Sequence, residues 1–560
     1  MTISGSAVWG HVTGVTQSNV RTFTGNWTGT GTIENSGDAE RIALHSAQYM
    51  EGEVVNTGIK TVSLSQNVYD AGDMAIIKYR HGVDSASCLA ASWNNYTVPF
   101  GSLGYVQIRI ESIVTGNTYF VSTSGSDAHT GLSEAQAFRN IQTALNTVAA
   151  GDAIVVASGT YTEALTIVKT GTSTKPIYIH ASTNLGVTVN AGSSKSIRTS
   201  GAKSDYVIDG FRFISTSSDG QDTPYNATIS LSYNYWGDGD AFEVGNDRFT
   251  IRNCYIEGSV YIYGSDCLVE NCEFNGTSIQ YNAITERSQP SENNIFRNNI
   301  IHDYLQRGGW TLSYVHNSLW QGNTLYNIGS SSVGGSGIDC DGAGHANYGC
   351  NIINNIFYNI QGECAILMEN GFDSTITGNI IHDSTTGIGF INYNIDNGAD
   401  PFVSDSDHKN LMTNTIITYN LIYNMSENGI NVKAVRGNTF SHNTIYNADV
   451  TTGYWGGIGL AAYDYFYCPD WIITNNIVAQ TPKTIWYQGS PAETIDYNFY
   501  DTFTVSVYGV GDKTFSQWQA MGFDVHGGVS NPLFVNAAGG DFHLQSGSPA
   551  SGSGVYPTPV

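Results

Sequence analysis

A short asparagine-centred motif recurs along most of this chain and restricts the folds open to it. Clear copies are "NNIIHD" (298–303), "GNTLYN" (322–327), "NNIFYN" (354–359), "GNIIHD" (378–383), "YNLIYN" (419–424), "HNTIYN" (442–447) and "NNIVAQ" (475–480). Weaker copies lie at 252–257, 270–275 and 497–502. The shorter spacings between aligned asparagines, 18 to 24 residues, suit one turn of a solenoid built from three short strands. The aligned residues, interpreted as structural bends, are Asn253, Asn271, Asn299, Asn323, Asn355, Asn379, Asn420, Asn443, Asn476 and Asn498.

The longer spacings between motif copies, up to 41 residues, predict insertions on individual coils. Insertions on a solenoid usually project from one face and often build the binding site. We expect them near 276–293, 328–349, 384–414 and 448–470.

Length and composition agree with a solenoid. A single compact core rarely exceeds about 250–300 residues, whereas a solenoid adds length without thickening its core. The chain has 560 residues, only 13% of them charged, with 63 glycines and 34 tyrosines. A net charge of −25 argues against binding to nucleic acid and to anionic membranes, both of which attract basic surfaces. We therefore expect an all-β protein that binds neither.

Two further sequence features, the cysteines and the N-terminal residues, bear on where the protein is located. None of the eight cysteines forms a C-x-x-C pair, so a zinc site has little support, and buried thiols or disulfides between neighbouring segments are the alternatives. The start, "MTISGSAVWG", has neither a charged region nor an apolar core typical of a signal peptide. We expect an extracellular or virion-associated protein, which implies either a signal removed before this numbering or another route out of the cell.

Residues 1–115 predict a separate small domain. Apolar or alternating runs at 61–68, 74–80 and 105–111 are separated by Gly, Asn and Asp, a pattern typical of an antiparallel β-sandwich. Attachment, assembly and carbohydrate binding are the roles considered for it.

The stretch 117–163 predicts the start of a second domain, 116–560. Ser133 and Gln136 form a capping-box pattern, and an amphipathic helix is expected near 133–149. This stretch resembles the entry cap of the pectate-lyase-like right-handed parallel β-helix proteins, in which such a helix plugs the open end of the first coil. The segment 531–554, "NPLFVNAAGGDFHLQSGSPASGSG", resembles their closing segment. The resemblance implies a right-handed parallel β-helix over roughly 117–554. That fold hosts lyases, hydrolases, epimerases and non-catalytic fibres.

Six further short strands can be stacked by their apolar residues. They are "GWTLSYV" (309–315), "GIDCDG" (337–342), "AILMEN" (365–370), "GIGFIN" (387–392), "GINVKA" (429–434) and "GIGLAA" (457–462). Two columns should point inward, headed by Trp310 and Leu312, because side chains alternate between the faces of a strand. The first outward column then reads Thr311, Asp339, Leu367, Gly389, Asn431, Gly459, and the second reads Ser313, Asp341, Glu369, Ile391, Lys433, Ala461.

This stacking predicts a catalytic surface. Asp341 and Glu369 should lie on adjacent coils, which are about 4.8 Å apart, close to the roughly 5 Å that separates the carboxyl groups of a retaining glycosidase. The closeness of two carboxyl groups raises the pKa of one of them. That group serves as the acid, while the other stays ionised. We predict Asp341 as nucleophile or base, Glu369 as acid/base and Asp339 as a supporting carboxylate.

The same block resembles β-helix glycoside hydrolases of the β-xylosidase type. The resemblance implies an Asp nucleophile in a "GID-x-D"-like strand and a Glu acid/base on the next coil. Here "GIDCDG" offers either Asp339 or Asp341, and "LMENGF" offers Glu369. The predicted substrate is a polysaccharide or oligosaccharide, and its hydrolysis requires no metal or other cofactor. The residues proposed to bind it are Trp310, Tyr314, His345, Tyr393, Lys433, Arg307, Trp455 and Tyr463.

Two alternatives remain open. A polysaccharide lyase needs a base and a group that neutralises the uronate. Arg287, Arg307, Lys433 and Arg436 are the basic candidates, and Asp339, Asp341 and Glu369 could bind Ca²⁺. The chain also resembles phage tailspikes in architecture, with a small N-terminal domain before a β-helix. This second alternative implies a glycan-binding or structural protein and a homotrimer.

Overall fold

The computed structural model describes the strands within residues 2–112 by their backbone and most of the remaining chain with side chains. The latter covers 116–214, 228–231, 246–276, 282–305, 308–332, 334–341, 347–369, 371–391, 414–433, 435, 437–449, 456–461, 470–488 and 493–554, except the side chains of 287–290 and 313–314. The chain divides into two compact units, 1–158 with 169–183, and 159–168 with 184–560. Among the described residues, no helix has the length and hydropathy needed to cross a membrane.

The first unit contains a six-stranded sheet. In spatial order its strands are Ser6–Trp9, Val20–Thr28, Gln48–Val55, Gly104–Ser112, Ala75–Gly82 and Asn94–Asn95. One neighbouring pair, Val20–Thr28 with Gln48–Val55, is parallel, so the sheet is mixed rather than purely antiparallel as predicted. Two small antiparallel pairs accompany it, Thr2–Ile3 with Ile33–Glu34 and Thr61–Val62 with Val98–Pro99.

A helix and three parallel strands complete the first unit. The predicted helix occurs as a 3₁₀ turn, Glu134–Gln136, followed by α1, Ile141–Thr147. Its apolar face is buried as expected, but the Ser133 side chain forms no capping bond, because the chain makes only a single 3₁₀ turn there. Helix α1 packs on two of the three parallel strands, which are Thr118–Val121, Ala153–Val156 and Ile177–Ala181.

The second unit is a parallel β-helix with three sheets, which confirms the predicted fold class. Its first sheet consists of Tyr206–Asp209, Phe249–Arg252, Leu268–Glu270, Ile295–Arg297, Leu319–Gln321, Asn351–Ile353, Thr375–Thr377, Ile416–Thr418, Thr439–Ser441, Ile472–Thr474 and Thr494–Asp496. Its second consists of Gly159–Tyr161, Val187–Asn190, Phe211–Ile214, Tyr255–Glu257, Glu273–Asn275, Ile300–Tyr304, Thr324–Ile328, Ile356–Ile360, Ile380–His382, Leu421–Tyr423, Thr444–Tyr446, Ile477–Ala479, Phe499–Tyr500 and Gly528–Val529.

The third sheet has the strands Leu165–Ile167, Ile197–Thr199, Ile229–Leu231, Val260–Ile262, Ile284–Glu292, Trp310–His316, Ile338–Cys340, Cys364–Met368, Thr386–Ile391, Ile430–Lys433, Ile458–Ala461, Ile485–Tyr487, Val505–Val507 and the antiparallel Gly511–Lys513. Asn347–Tyr348 and Gly371–Phe372 extend it at one side. The C-terminal part adds helix α2, Phe515–Ala520, a 3₁₀ turn, Ala537–Gly539, and a hairpin of Phe534–Asn536 with Asp541–Leu544. Each predicted insertion therefore contains at least one strand of the third sheet.

The motif asparagines form a buried ladder between the first and second sheets. From Asn299 to Asn476, each residue donates its backbone N–H to the side-chain oxygen of its counterpart on the next coil, and Asn498 accepts the last of these bonds. Asn253 and Asn271 were aligned one residue too early. The column passes through Cys272, whose N–H donates to Asn299 Oδ1 at 3.0 Å, while Asn253 and Asn271 take the left-handed backbone of the preceding position. The ladder confirms a structural role for the other eight.

The cysteines within the described residues are buried thiols rather than disulfides. They are Cys254, Cys267, Cys272, Cys340, Cys350 and Cys364.

Candidate active site

The register predicted for the third sheet is confirmed by its strand pairing. Trp310, Ile338, Ile366, Ile388, Ile430 and Ile458 pair in sequence as one column. Leu312, Cys340, Met368, Phe390, Val432 and Leu460 pair as the next. Both columns are buried, with no residue more than 1% exposed. The alternating residues therefore face outward.

Asp339 lies on this outer face between Ile338 and Cys340, and Asp341 follows directly after the strand. The backbone N–H of Glu369 donates to the carbonyl oxygen of Cys340 at 3.1 Å, which continues the parallel ladder one step beyond the Cys340–Met368 pair. Asp341 and Glu369 thus hold the same position on adjacent coils, whose backbones are about 4.8 Å apart. All three carboxylate residues are partly exposed. Their catalytic roles stay predictions.

The position held by this pair continues on the following coils as one outward column, which we call the outer row. Ile391 pairs with Lys433 and Lys433 with Ala461. The Gln488 N–H donates to the Leu460 carbonyl at 2.7 Å, and the Tyr508 N–H donates to the Tyr487 carbonyl at 2.9 Å. These bonds extend the register beyond the ends of the strands. The outer row is Asp341, Glu369, Ile391, Lys433, Ala461, Gln488 and Tyr508.

The predicted substrate-binding residues divide into three groups. Trp310 was wrong as a binding residue: its side chain is fully buried in the inward column and packs edge-on against Phe296 and Trp320. Period-2 alternation requires that position, since Trp310 pairs with the core residue Ile338. Lys433 is partly exposed in the outer row, as expected of a binding residue. Outside the described residues lie Arg307, His345, Tyr393, Trp455, Tyr463 and the side chain of Tyr314.

Within the described residues, no group of three or more His, Cys, Asp or Glu side chains is arranged to hold a metal ion. Asp339, Asp341 and Glu369 therefore do not form a metal-ligating cluster.

One ionisable residue of this region was not anticipated. Glu286 pairs with Leu312, which places its carboxylate in the second inward column, fully buried. Its Oε1 accepts hydrogen bonds from Asn294 Nδ2 at 2.6 Å, Ser318 Oγ at 3.1 Å and Ser291 Oγ at 3.3 Å. Among the described residues, Oε2 has no partner. Burial raises the Glu286 pKa to about 7, although the three hydrogen bonds favour the ionised form and act in the opposite direction. The spacing "ITE" repeats that of "IDC", so extending the column by one coil would have found it.

One family model agrees with the fold of the second unit. The family described as "Right handed beta helix region" matches residues 240–399. Structural similarity extends to an α-1,3-glucanase of family GH87 from Streptomyces thermodiastaticus, with 12% identity, coverage of 71% of this chain and 82% of that one, and a TM-score of 0.43. The complex of XylC with xylose shares 12% identity over 71% of this chain and 85% of that one, with a TM-score of 0.42.

An alginate lyase from Paenibacillus shares 14% identity over 59% of this chain and 98% of that one, with a TM-score of 0.36. Among the curated proteins no match was found. The second unit is a right-handed parallel β-helix.

Proposed function

We propose that this protein hydrolyses glycosidic bonds of a polysaccharide, with Asp341 and Glu369 as the catalytic pair. The observation that carries the proposal is their shared register: two partly exposed carboxylates occupy one outward position on adjacent coils. A rigid sheet fixes the backbones about 4.8 Å apart, and retaining glycosidases hold their two carboxyl groups about 5–5.5 Å apart.

The chemistry is a double displacement. The Asp341 carboxylate attacks the anomeric carbon while protonated Glu369 donates its proton to the departing glycosidic oxygen. A glycosyl ester on Asp341 results, and the first sugar fragment leaves as an alcohol. Glu369, now ionised, takes a proton from water, whose oxygen attacks the anomeric carbon and releases Asp341. Asp339, two residues before Asp341 on the same face, supports the local negative charge that favours the cationic sugar ring of the transition state.

The test is digestion of a panel containing alginate, polygalacturonate, xylan and α-1,3-glucan. We expect new reducing ends without the ultraviolet absorbance of a conjugated C=C bond, and a fall of about 10²–10⁴-fold for Asp341→Asn and Glu369→Gln. The control is Glu273→Gln, whose carboxylate is 47% exposed on the second sheet. Wild-type activity in either catalytic-pair variant would refute the assignment.

The two variants should also differ from each other. An activated aryl glycoside of the cleaved sugar has a leaving group that needs no proton. Glu369→Gln should therefore still release the aryl group rapidly, while Asp341→Asn should not, because it lacks the nucleophile. Equal losses on this substrate would mean that the roles are wrongly assigned.

β-Elimination is the second candidate, and Lys433 is the observation that favours it. Its side chain lies in the outer row two coils beyond Glu369, where a cation can offset the carboxylate of an acidic sugar. Products that absorb as a conjugated C=C bond would establish a lyase and rule out hydrolysis.

A further inference from the structure

The outer row ends at an exposed aromatic ring. Tyr508 is 64% exposed, whereas the earlier members of the row are buried, as Ile391 and Ala461 are, or only partly exposed, as Lys433 and Gln488 are. Five coils separate it from Glu369, a distance of roughly 24 Å at 4.8 Å per coil. The end of the row farthest from the carboxylates is thus marked by the residue type that stacks on sugar rings.

The Tyr508 ring has a fixed support. Its centroid lies 6.2 Å from that of Trp486, with an angle of 61° between the planes, and Trp486 is itself only 6% exposed. The backbone is held by the bond from Tyr508 N–H to the Tyr487 carbonyl and by a tight turn in which Val510 N–H donates to the Val507 carbonyl at 3.0 Å. Gly509 supplies the left-handed backbone of that turn, with φ of 70°. The ring is therefore presented on a short hydrogen-bonded turn that directly follows the strand Val505–Val507.

The residues between the two ends suit an extended sugar chain. Lys433 offers an ammonium donor, and Gln488 offers both an amide donor and an acceptor, each partly exposed. Ile391 and Ala461, also between the two ends, are buried, so the polar groups that the row presents here are those of Lys433 and Gln488. Sugars present hydroxyl groups at their rims and apolar C–H groups on their faces, so alternating polar contacts and an aromatic ring match their chemistry.

We propose that Tyr508 forms a distal sugar-binding subsite, occupied by a polysaccharide that lies along the outer row from the carboxylate pair. The inference rests on the proposed function and adds to it a substrate class: a chain long enough to span the five coils. Short oligosaccharides bound at Asp341 and Glu369 do not reach Tyr508.

The test compares Tyr508→Ala with wild type on a size series of oligosaccharides prepared from whichever panel polysaccharide is cut. We expect kcat/KM to fall about tenfold on the polymer, the effect of losing one stacking contact, with no change on di- and trisaccharides. Tyr508→Phe should retain most of the polymer activity, because the ring remains. Val510→Ala is the matched control, since Val510 is also 64% exposed and lies on the same turn outside the row.

Each contrary result has a distinct meaning. Unchanged polymer kinetics in Tyr508→Ala, with short substrates still cut, would overturn the subsite and leave the proposed function standing. Equal losses on short and long substrates would also overturn it. A change in molar mass by light scattering without a change in polymer kinetics would assign Tyr508 to contacts between copies instead. If no panel glycan is cut, or bound in affinity electrophoresis, both proposals fail.

Discussion

Acidic residues of the third sheet lie in different environments, depending on their position in the strand. Asp341 and Glu369 keep their carboxylates on the outer face, whereas Glu286 carries the same chemical group into the core. The period-2 alternation of the strand decides between these outcomes. A carboxylate in the core costs free energy when ionised, and three hydrogen bonds to one of its oxygens offset only part of that cost.

Glu286 should make the stability of the protein depend on pH. Its pKa is raised from 4.5 to about 7 by burial, so the folded state binds the proton more tightly than the unfolded state. The stabilising contribution of the protonated group is complete below pH 4.5 and is lost as the pH rises through 7. At higher pH the difference amounts to about 3 kcal/mol. Glu286→Gln should remove this component from the pH dependence of the denaturation midpoint.

The matched control for Glu286→Gln is Glu363→Gln. Glu363 directly precedes the third-sheet strand Cys364–Met368, and it is exposed. We expect this variant to follow the wild-type pH profile. A Glu286→Gln protein whose midpoint still falls between pH 5 and pH 8 as the wild type does would contradict the buried ionisation.

At the scale of elements, the asparagine ladder holds successive coils together. Asn379 is typical: its Nδ2 donates to the Ile352 carbonyl and to Asn420 Oδ1, both at 2.9 Å, and its Oδ1 accepts from the backbone and side chain of Asn355. The side chain therefore satisfies buried backbone groups at a bend where the sheet ladder is interrupted. The ladder ends on Asp524, whose Oδ1 accepts from Asn498 and whose Oδ2 accepts from Tyr500 and Trp518.

Removing one rung should be costly. Asn379→Ala leaves the Asn355 N–H and the Ile352 carbonyl without their side-chain partner inside the core, so we expect a loss of about 3–4 kcal/mol in the free energy of unfolding. Asn359→Gly is the control: Asn359 is exposed, bonds to Asn327 at 2.7 Å and has φ of 54°, which glycine adopts freely. That variant should lose less than about 1 kcal/mol. Equal shifts of the urea denaturation midpoint in the two variants would mean that the buried ladder contributes no more to stability than the exposed hydrogen bond of Asn359.

The predictability of these elements from sequence follows from their periodicity. Columns such as Ile338–Ile366–Ile388 repeat one apolar pattern at each coil, so pairing by pattern gave the observed register. Trp310 was misassigned because a binding role was inferred from its residue type, although its own column marks it as core. The strand Ile284–Glu292 was missed because its pairing slips between Arg287 and Ser291, which interrupts the alternation that a sequence pattern detects. Tyr508 was overlooked because the stacked strands ended at 457–462, two coils before the turn that carries it.

At the scale of the whole molecule, a β-helix must close the open end of its core. In the second unit, helix α2 and the residues after it supply this closure at the C-terminal end. Trp518 is fully buried, its ring stacks on Phe523 at 4.4 Å, and its Nε1 donates to Asp524 Oδ2 at 3.0 Å. Thr514 and Gln517 fix the start of the helix with a capping box. One side chain thus covers the core and also binds the residue that ends the asparagine ladder.

The substitution Trp518→Ala should therefore weaken both the closure of the core and the end of the asparagine ladder. Truncating a buried tryptophan costs about 3–5 kcal/mol, and Asp524 loses a hydrogen-bond donor. Coils of a solenoid are stabilised mainly by their neighbours, so fraying should begin at the last coil and expose sheet edges that promote association.

We expect a lower denaturation midpoint and rising light scattering on heating, while Met521→Ala, at a position 45% exposed beside the same helix, behaves as wild type. Hydrogen exchange should show lost protection first at Phe499–Tyr500 and Val505–Val507. Uniform loss across all coils would instead indicate that the β-helix unfolds as one cooperative unit.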